Sequence, residues 1–108
     1  MNRVAAMLEK LTLEEKVAMV AGSGPWHSTG IERLGIPAFK MTDGPNAARG
    51  DARSGERACC FPVGVSLGAS WNVELLEAVG AALGDEARSK GAQVLLGPTI
   101  NIQRTPIG

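Results

Sequence analysis

"WNVELLEAVGAALGDEARSKGAQVLLGP", residues 71–98, is the stretch that decides the fold class. Its first part predicts a helix over residues 73–90, because Asn72 is a strong N-cap and Gly91 suits the left-handed position that ends a helix. Acidic residues near the start and Lys90 at the end complement the helix dipole. The apolar stripe of this helix consists of Leu75, Leu76, Val79, Leu83 and Ala87. The remainder, AQVLLGP at 92–98, predicts a short strand that ends at Gly97-Pro98.

The sequence just before the helix completes a strand–helix–strand pattern. The apolar run VGVSLGAS at 63–70 predicts a strand, weakened by Gly64 and Gly68. A strand, a helix and a second strand form a βαβ unit, whose two strands are parallel and connected with right-handed sense. We expect Trp71 to pack the helix against the sheet. Two glycines inside the helix, each costing on the order of 1 kcal/mol relative to alanine, predict close packing there; they are Gly80 and Gly84.

The N-terminal half predicts two short helices, a turn, a strand and a loop. Residues 1–10 are helix-permissive, and TLEEKVAMVAG at 12–22 has Thr12 and Glu15 at capping-box spacing. STGIERLGIP at 28–37 predicts one helical turn at most. AFKM at 38–41 predicts a strand that delivers Thr42 and Asp43 to its C-terminal end. Residues 44–57 have no periodicity and predict a long loop, and long loops in compact domains are usually functional or mobile.

Composition limits the class of protein. The chain has 108 residues, 44% of them hydrophobic and 20% charged, with a formal net charge of +0. These values are typical of a globular domain. A balanced charge gives neither nucleic acid nor an anionic membrane an electrostatic reason to bind. Aromatic residues make up 4%, too few for a platform on which single-stranded nucleic acid could stack.

The N-terminal sequence and the cysteines indicate a cytoplasmic protein with reduced thiols. MNRVAAMLEKLTLEEKV is charged throughout and lacks the apolar core of a secretory signal, and no apolar run approaches the length of a membrane span. Cys59 and Cys60 are adjacent, a spacing that rarely permits disulfide geometry, so we expect free, buried thiols. The only histidine, His27, is far from both, and the sequence predicts no metal site and no organic cofactor.

Three predicted strands and one crossover helix leave sheet edges that a finished parallel sheet would cover. The sequence therefore predicts the N-terminal piece of a larger α/β protein. Three stretches together carry a family resemblance. They are LTLEEKVAMVAG (11–22), WHSTGIERLGIPAFKMTDGPNAARG (26–50) and FPVGVSLGASWNVELLEAVGAALGDEARSKGAQVLLGPTINIQRTP (61–106). In this order they resemble the start of a family 3 glycoside hydrolase of the β-glucosidase type.

The resemblance implies an architecture and a reaction. Its fold would be a (β/α)₈ TIM barrel followed by an α/β sandwich domain. Since a whole barrel needs about 250 residues, residues 1–108 would hold only the N-terminal part of the barrel, with the rest of the barrel and the second domain absent. The implied activity is retaining hydrolysis of terminal non-reducing β-D-glycosyl residues, in β-linked oligosaccharides or aryl and alkyl glycosides, as part of carbohydrate catabolism. It uses two carboxyl groups about 5–5.5 Å apart.

No catalytic residue is expected in this chain. The family nucleophile is an aspartate in a Ser-Asp-Trp type motif late in the barrel, and none of Asp43, Asp51 or Asp85 has such neighbours. The acid/base glutamate comes from the second domain. We therefore expect the 108 residues alone to be inactive, although the longer protein would be a glycosidase, β-glucosidase-like or β-xylosidase-like.

Part of a sugar-binding pocket is expected instead. By the resemblance, Asp43 in the Asp-Gly-Pro turn accepts hydrogen bonds from sugar hydroxyls, and Arg49 either holds Asp43 or donates to the sugar. The alternatives without a ligand-binding role are that Asp43 only initiates a turn and that Arg49 is a solvated loop residue. Ala47 stands where relatives usually have glycine, so a positive φ there would be strained.

Three further residues are weaker candidates for the pocket: Trp26, His27 and Arg104. Trp26 and His27 resemble a recurrent family stretch, but a lone loop histidine is more often structural. Two other functions stay open at this point. One is a non-catalytic sugar-binding or interaction module that uses the Asp43 loop. The other, a phosphate-binding domain, is disfavoured because "GASWN" at 68–72 has neither glycine-rich phosphate motif.

Overall fold

The computed structural model describes residues 2–50, 56–99 and 104–107. The chain divides into two compact units, Met1–Met41 and Thr42–Gly108. In chain order the elements are helices α1 (Arg3–Leu8) and α2 (Leu13–Ala21), a 3₁₀ turn (Glu32–Leu34), strand β1 (Met41–Asp43), helices α3 (Gly64–Ala69) and α4 (Val73–Ser89), and strand β2 (Val94–Leu96). In the described ranges, no helix is long and apolar enough to cross a membrane.

The first unit confirms the predicted N-terminal helices and the short turn. The Thr12 hydroxyl accepts the Glu15 N–H at 3.2 Å and the Glu15 carboxylate accepts the Thr12 N–H at 2.9 Å, so both halves of the capping box form at the start of α2. Arg33, in the 3₁₀ turn, donates to the same Glu15 carboxylate and to the Lys10 carbonyl. The capping box thus begins α2, and the contacts of Arg33 hold the 3₁₀ turn against Glu15 and Lys10.

The second unit contains a two-stranded parallel sheet, in which β1 pairs with β2. The predicted strand at 92–98 is confirmed as β2, but the predicted pairing of this strand with residues 63–70 is wrong. The partner of β2 is β1, which overlaps the predicted strand at 38–41 only at Met41. Residues 64–69 form α3, with the N–H of Leu67 donating to the Val63 carbonyl at 3.1 Å. Gly64 and Gly68 leave a strand at this position with few side chains to pack, and the run forms a helix instead.

Helix α4 is the longest element and confirms the opening prediction almost residue for residue. The Asn72 side chain accepts the Leu75 N–H at 2.9 Å, and Gly91 follows the helix with φ of 69°. The C-terminal end of α4 is the buried end, where Leu83 and Ala87 lie. A small core forms there between Ala87, Ala48 and Ala92, with Leu95 of β2 packed against it.

Three predictions about burial and packing are wrong, and they concern Trp71, the two glycines of α4 and the two cysteines. Trp71 is 91% exposed, in a positive-φ conformation, and does not pack the helix onto the sheet. Among the described residues a methyl group at Gly80 or Gly84 would meet nothing within 4 Å, so neither glycine is at a close approach within this part of the protein. Cys59 and Cys60 are free as predicted but exposed rather than buried. Each error concerns burial, which depends on the partners a surface finds and not on local sequence.

Candidate functional site

An ion pair joins the two principal candidates at the end of β1. Asp43 is the last residue of the strand, slightly inside it rather than beyond it as predicted. A guanidinium nitrogen of Arg49 donates to the Asp43 carboxylate, and the Arg49 N–H donates to the Asp43 carbonyl at 3.0 Å. The side chains are 33% exposed for Asp43 and 62% for Arg49. The pair therefore presents a carboxylate with remaining acceptor capacity at a surface that a ligand can reach.

The turn between the two residues depends on Gly44. Its φ is 124°, and a methyl group there would collide with the Ala47 carbonyl oxygen. Ala47 itself is not strained, because Trp71 is the only non-glycine residue of the described ranges with a positive φ. The condition under which alanine at 47 would cost energy, a positive φ, is therefore not met. Pro45, the next residue of the turn, lies close to Gly97, which follows β2. A methyl group added at Gly97 would come within 2.9 Å of the Pro45 Cα.

A buried hydroxyl closes the loop from inside. Thr42, the middle residue of β1, has no exposed surface, and its hydroxyl accepts the Gly50 N–H at 2.8 Å. Gly50 has φ of 65°, a left-handed conformation that suits glycine. Residues 44–50 thus lead back to β1, the strand that they follow. The described part of the predicted 44–57 loop contains no helix or strand, and residues 51–55 lie outside the described residues.

The end of α4 holds the same loop from the other side. The Glu86 carboxylate accepts the Ala48 N–H at 3.1 Å and the Cys59 N–H at 2.7 Å. The Lys90 ammonium donates to the Ala48 carbonyl and lies 3.4 Å from Glu86. The Glu86 and Lys90 side chains are 13% and 7% exposed. Both backbone polar groups of Ala48 are therefore bound by one partly buried pair of opposite charges.

The pKa of Glu86 reflects this setting. Burial by itself would raise the pKa, since it disfavours the charged form. The hydrogen bonds from the Cys59 and Ala48 N–H groups and the charge of Lys90 act in the opposite direction, and together they hold the pKa of Glu86 below its ordinary value of 4.5. Glu86 is accordingly a carboxylate at neutral pH.

The weaker candidates are not gathered around the ion pair by any described contact. Trp26 and His27 belong to the first unit, where Trp26 is half-buried and His27 exposed. Their backbone carbonyls accept the Met41 N–H at 2.7 Å and the Ser23 N–H at 3.0 Å; these main-chain bonds assign no role to either side chain. Arg104 is exposed, and in the described part of the chain it forms no hydrogen bond or ion pair with Asp43 or Arg49.

Sequence reasoning missed the three side chains that hold the loop: Thr42, Glu86 and Lys90. Glu86 and Lys90 have the i, i+4 spacing of a helical ion pair, but that spacing more often belongs to a solvated surface. Nothing local reveals that this pair is buried against residue 48. Among residues 2–50, 56–99 and 104–107, no group of three or more His, Cys, Asp or Glu side chains could hold a metal ion.

The known proteins to which this chain is similar, in sequence and in structure, include β-glucosidases of three organisms. No protein-family model matches the chain. A β-glucosidase of Rhizobium radiobacter is 52% identical over 101 residues, which cover 92% of this chain and 12% of that protein. A crystal structure of β-glucosidase from Kluyveromyces marxianus in complex with glucose superposes with a TM-score of 0.85 and 38% identity, covering 98% of this chain and 13% of that one. The GH3 β-glucosidase of Bifidobacterium adolescentis gives a TM-score of 0.81 and 42% identity, covering 94% and 14%.

Proposed function

We propose, from the premise that this chain is a family 3 β-glucosidase-like stretch, that it forms part of the sugar-binding wall of a retaining β-glycosidase. The chain spans 12–14% of the length of the relatives named above, so the activity belongs to a longer protein. Its substrates would be β-linked oligosaccharides or aryl and alkyl glycosides, with a glucosyl-type residue at the non-reducing end. One of the relatives was crystallised with glucose, which supports this substrate class.

The observation that carries the proposal is the Asp43–Arg49 pair at the end of a parallel strand. In a (β/α)₈ barrel, ligand-binding groups lie at the C-terminal ends of the strands and on the loops that follow them. Asp43 and Arg49 occupy such an end and its loop. An ionised carboxylate only accepts hydrogen bonds, and it can receive protons from two sugar hydroxyls in short, charge-assisted bonds. Arg49 holds the Asp43 carboxylate in a fixed orientation.

Catalysis would come from elsewhere in the longer protein. Retaining hydrolysis needs a nucleophile and an acid/base carboxyl group about 5–5.5 Å apart, and we assign neither role to an aspartate or glutamate of this chain. The parallel strands β1 and β2 would be the first strands of the barrel, with α3 and α4 between them. A cytoplasmic location is part of the same proposal, which the free thiols of Cys59 and Cys60 support.

The first experiment is to read the coding DNA beyond Gly108 and express the complete product. We expect it to hydrolyse a chromogenic aryl β-D-glucoside, whereas the 108-residue chain should give no turnover. A stop codon directly after Gly108 would contradict the enzyme proposal. Saturable glucose binding by the folded chain would then favour the sugar-binding module.

The second experiment tests Asp43 in the complete product. Asp43→Asn keeps the shape of the side chain but removes its charge, and Asp85→Asn changes an exposed aspartate of α4 as a matched control. Loss of a charge-assisted hydrogen bond to the substrate should lower kcat/KM by about 10- to 100-fold. Asp85→Asn should leave kcat/KM unchanged. Equal kcat/KM for the two variants would show that Asp43 does not bind the substrate.

A further inference from the structure

We infer that Glu86 and Lys90 are positioning residues for the sugar-binding pair: from α4 they fix the backbone that carries Arg49, and through Arg49 they orient Asp43. This inference rests on the proposed function, since it concerns the same pocket. Neither side chain is assigned a contact with the sugar. Their effect on binding would pass through the main chain of the loop.

The first step of the argument is the way Ala48 is held. Its N–H donates to one oxygen of Glu86 at 3.1 Å, and its carbonyl accepts from the Lys90 ammonium. Its methyl group has no exposed surface and packs with Ala87 and Ala92. Every group that Ala48 possesses is thus engaged by α4 or by residues just after it. The backbone at position 48 can move only if the end of α4 moves with it.

The second step is that Arg49 follows directly in the chain. Its own N–H bonds to the Asp43 carbonyl at 3.0 Å, and the next N–H, of Gly50, bonds to the buried Thr42 hydroxyl at 2.8 Å. Three consecutive residues, 48–50, therefore have their N–H groups fixed, each by a different partner. These bonds hold the backbone from which the mostly exposed Arg49 side chain extends. Only the side-chain torsions of Arg49 remain to determine the geometry of its ion pair with Asp43.

The third step concerns the second oxygen of Glu86. It accepts the Cys59 N–H at 2.7 Å, so one carboxylate binds both the 44–50 segment and the segment after residues 51–55. The Phe61 N–H also donates to the Asn46 carbonyl, at 2.9 Å. The two described sides of the long loop are therefore tied together at Glu86.

Burial of the charged pair also favours a positioning role. Taking two charges out of water costs free energy that their attraction only partly offsets, so a buried ion pair is a weak source of stability. What the pair supplies instead is a fixed geometry for groups that must be placed accurately. Binding sites need such support, because a displacement of about 1 Å can lower activity on the order of 100-fold.

The test uses the complete, active product and two substitutions in three variants: Glu86→Gln, Asp43→Asn and the two combined. Glu77→Gln, an exposed change of the same kind on α4, is the matched control. The Glu86→Gln substitution keeps the size of the side chain but leaves one acceptor oxygen and no charge for Lys90. We expect Glu86→Gln to raise KM for the aryl β-D-glucoside and the inhibition constant for glucose on the order of 10-fold or more, with Glu77→Gln unchanged.

The double variant separates positioning from stability. If Glu86 acts through the Asp43–Arg49 pair, adding Glu86→Gln to Asp43→Asn should lower kcat/KM no further than Asp43→Asn does alone. If Glu86 only stabilises the fold, Glu86→Gln should lower kcat through loss of folded protein, leave KM as it is, and multiply the Asp43→Asn effect. The second pattern would overturn the inference.

Failure of the inference is distinguishable from failure of the proposed function. If Asp43→Asn has no effect, the proposed function fails, whatever Glu86→Gln does. If Asp43→Asn lowers kcat/KM but Glu86→Gln behaves like Glu77→Gln, only the positioning role is wrong. Should Glu86→Gln not fold, Lys90→Met replaces it, with the exposed Arg88→Met as its control. If neither Glu86→Gln nor Lys90→Met folds, the pair is structural and the inference is overturned.

Discussion

The carboxylate of Glu86 accepts the backbone N–H of Ala48 at 3.1 Å, across 38 positions of sequence. This bond joins the most regular element of the chain, α4, to the loop that follows β1. Because Lys90 takes the carbonyl of the same residue, the loop is fixed relative to the helix axis and not merely packed near it. The placement of Arg49 therefore depends on a helix that the sequence shows plainly, through a contact that the sequence does not show.

The lowered pKa of Glu86 predicts an acid-sensitive fold. A carboxyl group whose pKa is depressed in the folded state stabilises that state above the ordinary value of 4.5 and loses this contribution as pH falls through the folded value. We expect the melting temperature of the chain to fall on acidification from neutral pH to below 4.5. Circular dichroism melts across this range would measure it.

The matched variant for this prediction is Glu86→Gln, which has no charge to lose. It should melt below the unsubstituted chain at neutral pH, and the two curves should converge in acid. The pKa of Glu15 is also lowered, chiefly by the Arg33 hydrogen bond, but that group is present in both proteins and cancels in the difference. A gap that is constant with pH would contradict the prediction.

Thr42→Val should destabilise the chain. Valine has the shape of threonine but leaves the buried Gly50 N–H without its acceptor, and an unpaired buried donor costs about 1–3 kcal/mol. Thr42→Ser retains the hydroxyl and should lose less. Urea unfolding of the three proteins would give the free energies. If valine were as stable as serine, the Thr42 hydroxyl would not be what closes the loop.

Features that depend on neighbouring residues could be predicted from the sequence. The capping box between Thr12 and Glu15, the Asn72 cap and the Gly91 end of α4 all formed as expected, because each is satisfied within one helical turn. The contact between Arg49 and Asp43 is one of the two roles that the family resemblance implies for Arg49. Six residues and one tight turn separate them, so a contact between opposite charges is nearly local.

Features that depend on distant partners could not be predicted. Residues 64–69 are apolar enough for a strand, but they form α3, and the strand that pairs with β2 is β1. The exposure of Trp71 has the same origin, since an apolar side chain is buried only where another surface meets it. The role of Glu86 in the site also lies in contacts made with residues 48 and 59.

Gly44→Ala should be strongly destabilising. The residue has φ of 124°, and the added methyl group would collide with the Ala47 carbonyl. Strain of this kind costs about 1–3 kcal/mol. Gly91→Ala is the control, because φ is 69° but a methyl group would meet nothing within 4 Å. Urea unfolding should show a larger loss for Gly44→Ala, and equal losses would mean that the collision is relieved at no cost.

Gly80 tests whether α4 is covered by other parts of a longer protein. In the chain alone a methyl group at Gly80 would meet open space, so Gly80→Ala should stabilise it by about 1 kcal/mol through helix propensity. In the complete product we expect the opposite sign, because the exposed stripe that begins at Leu75 and Leu76 would be packed against the rest of a barrel and the glycine would be at a close approach. Urea unfolding of both forms, with and without the substitution, measures the sign. Stabilisation in both would show that the face of α4 at Gly80 stays open to solvent.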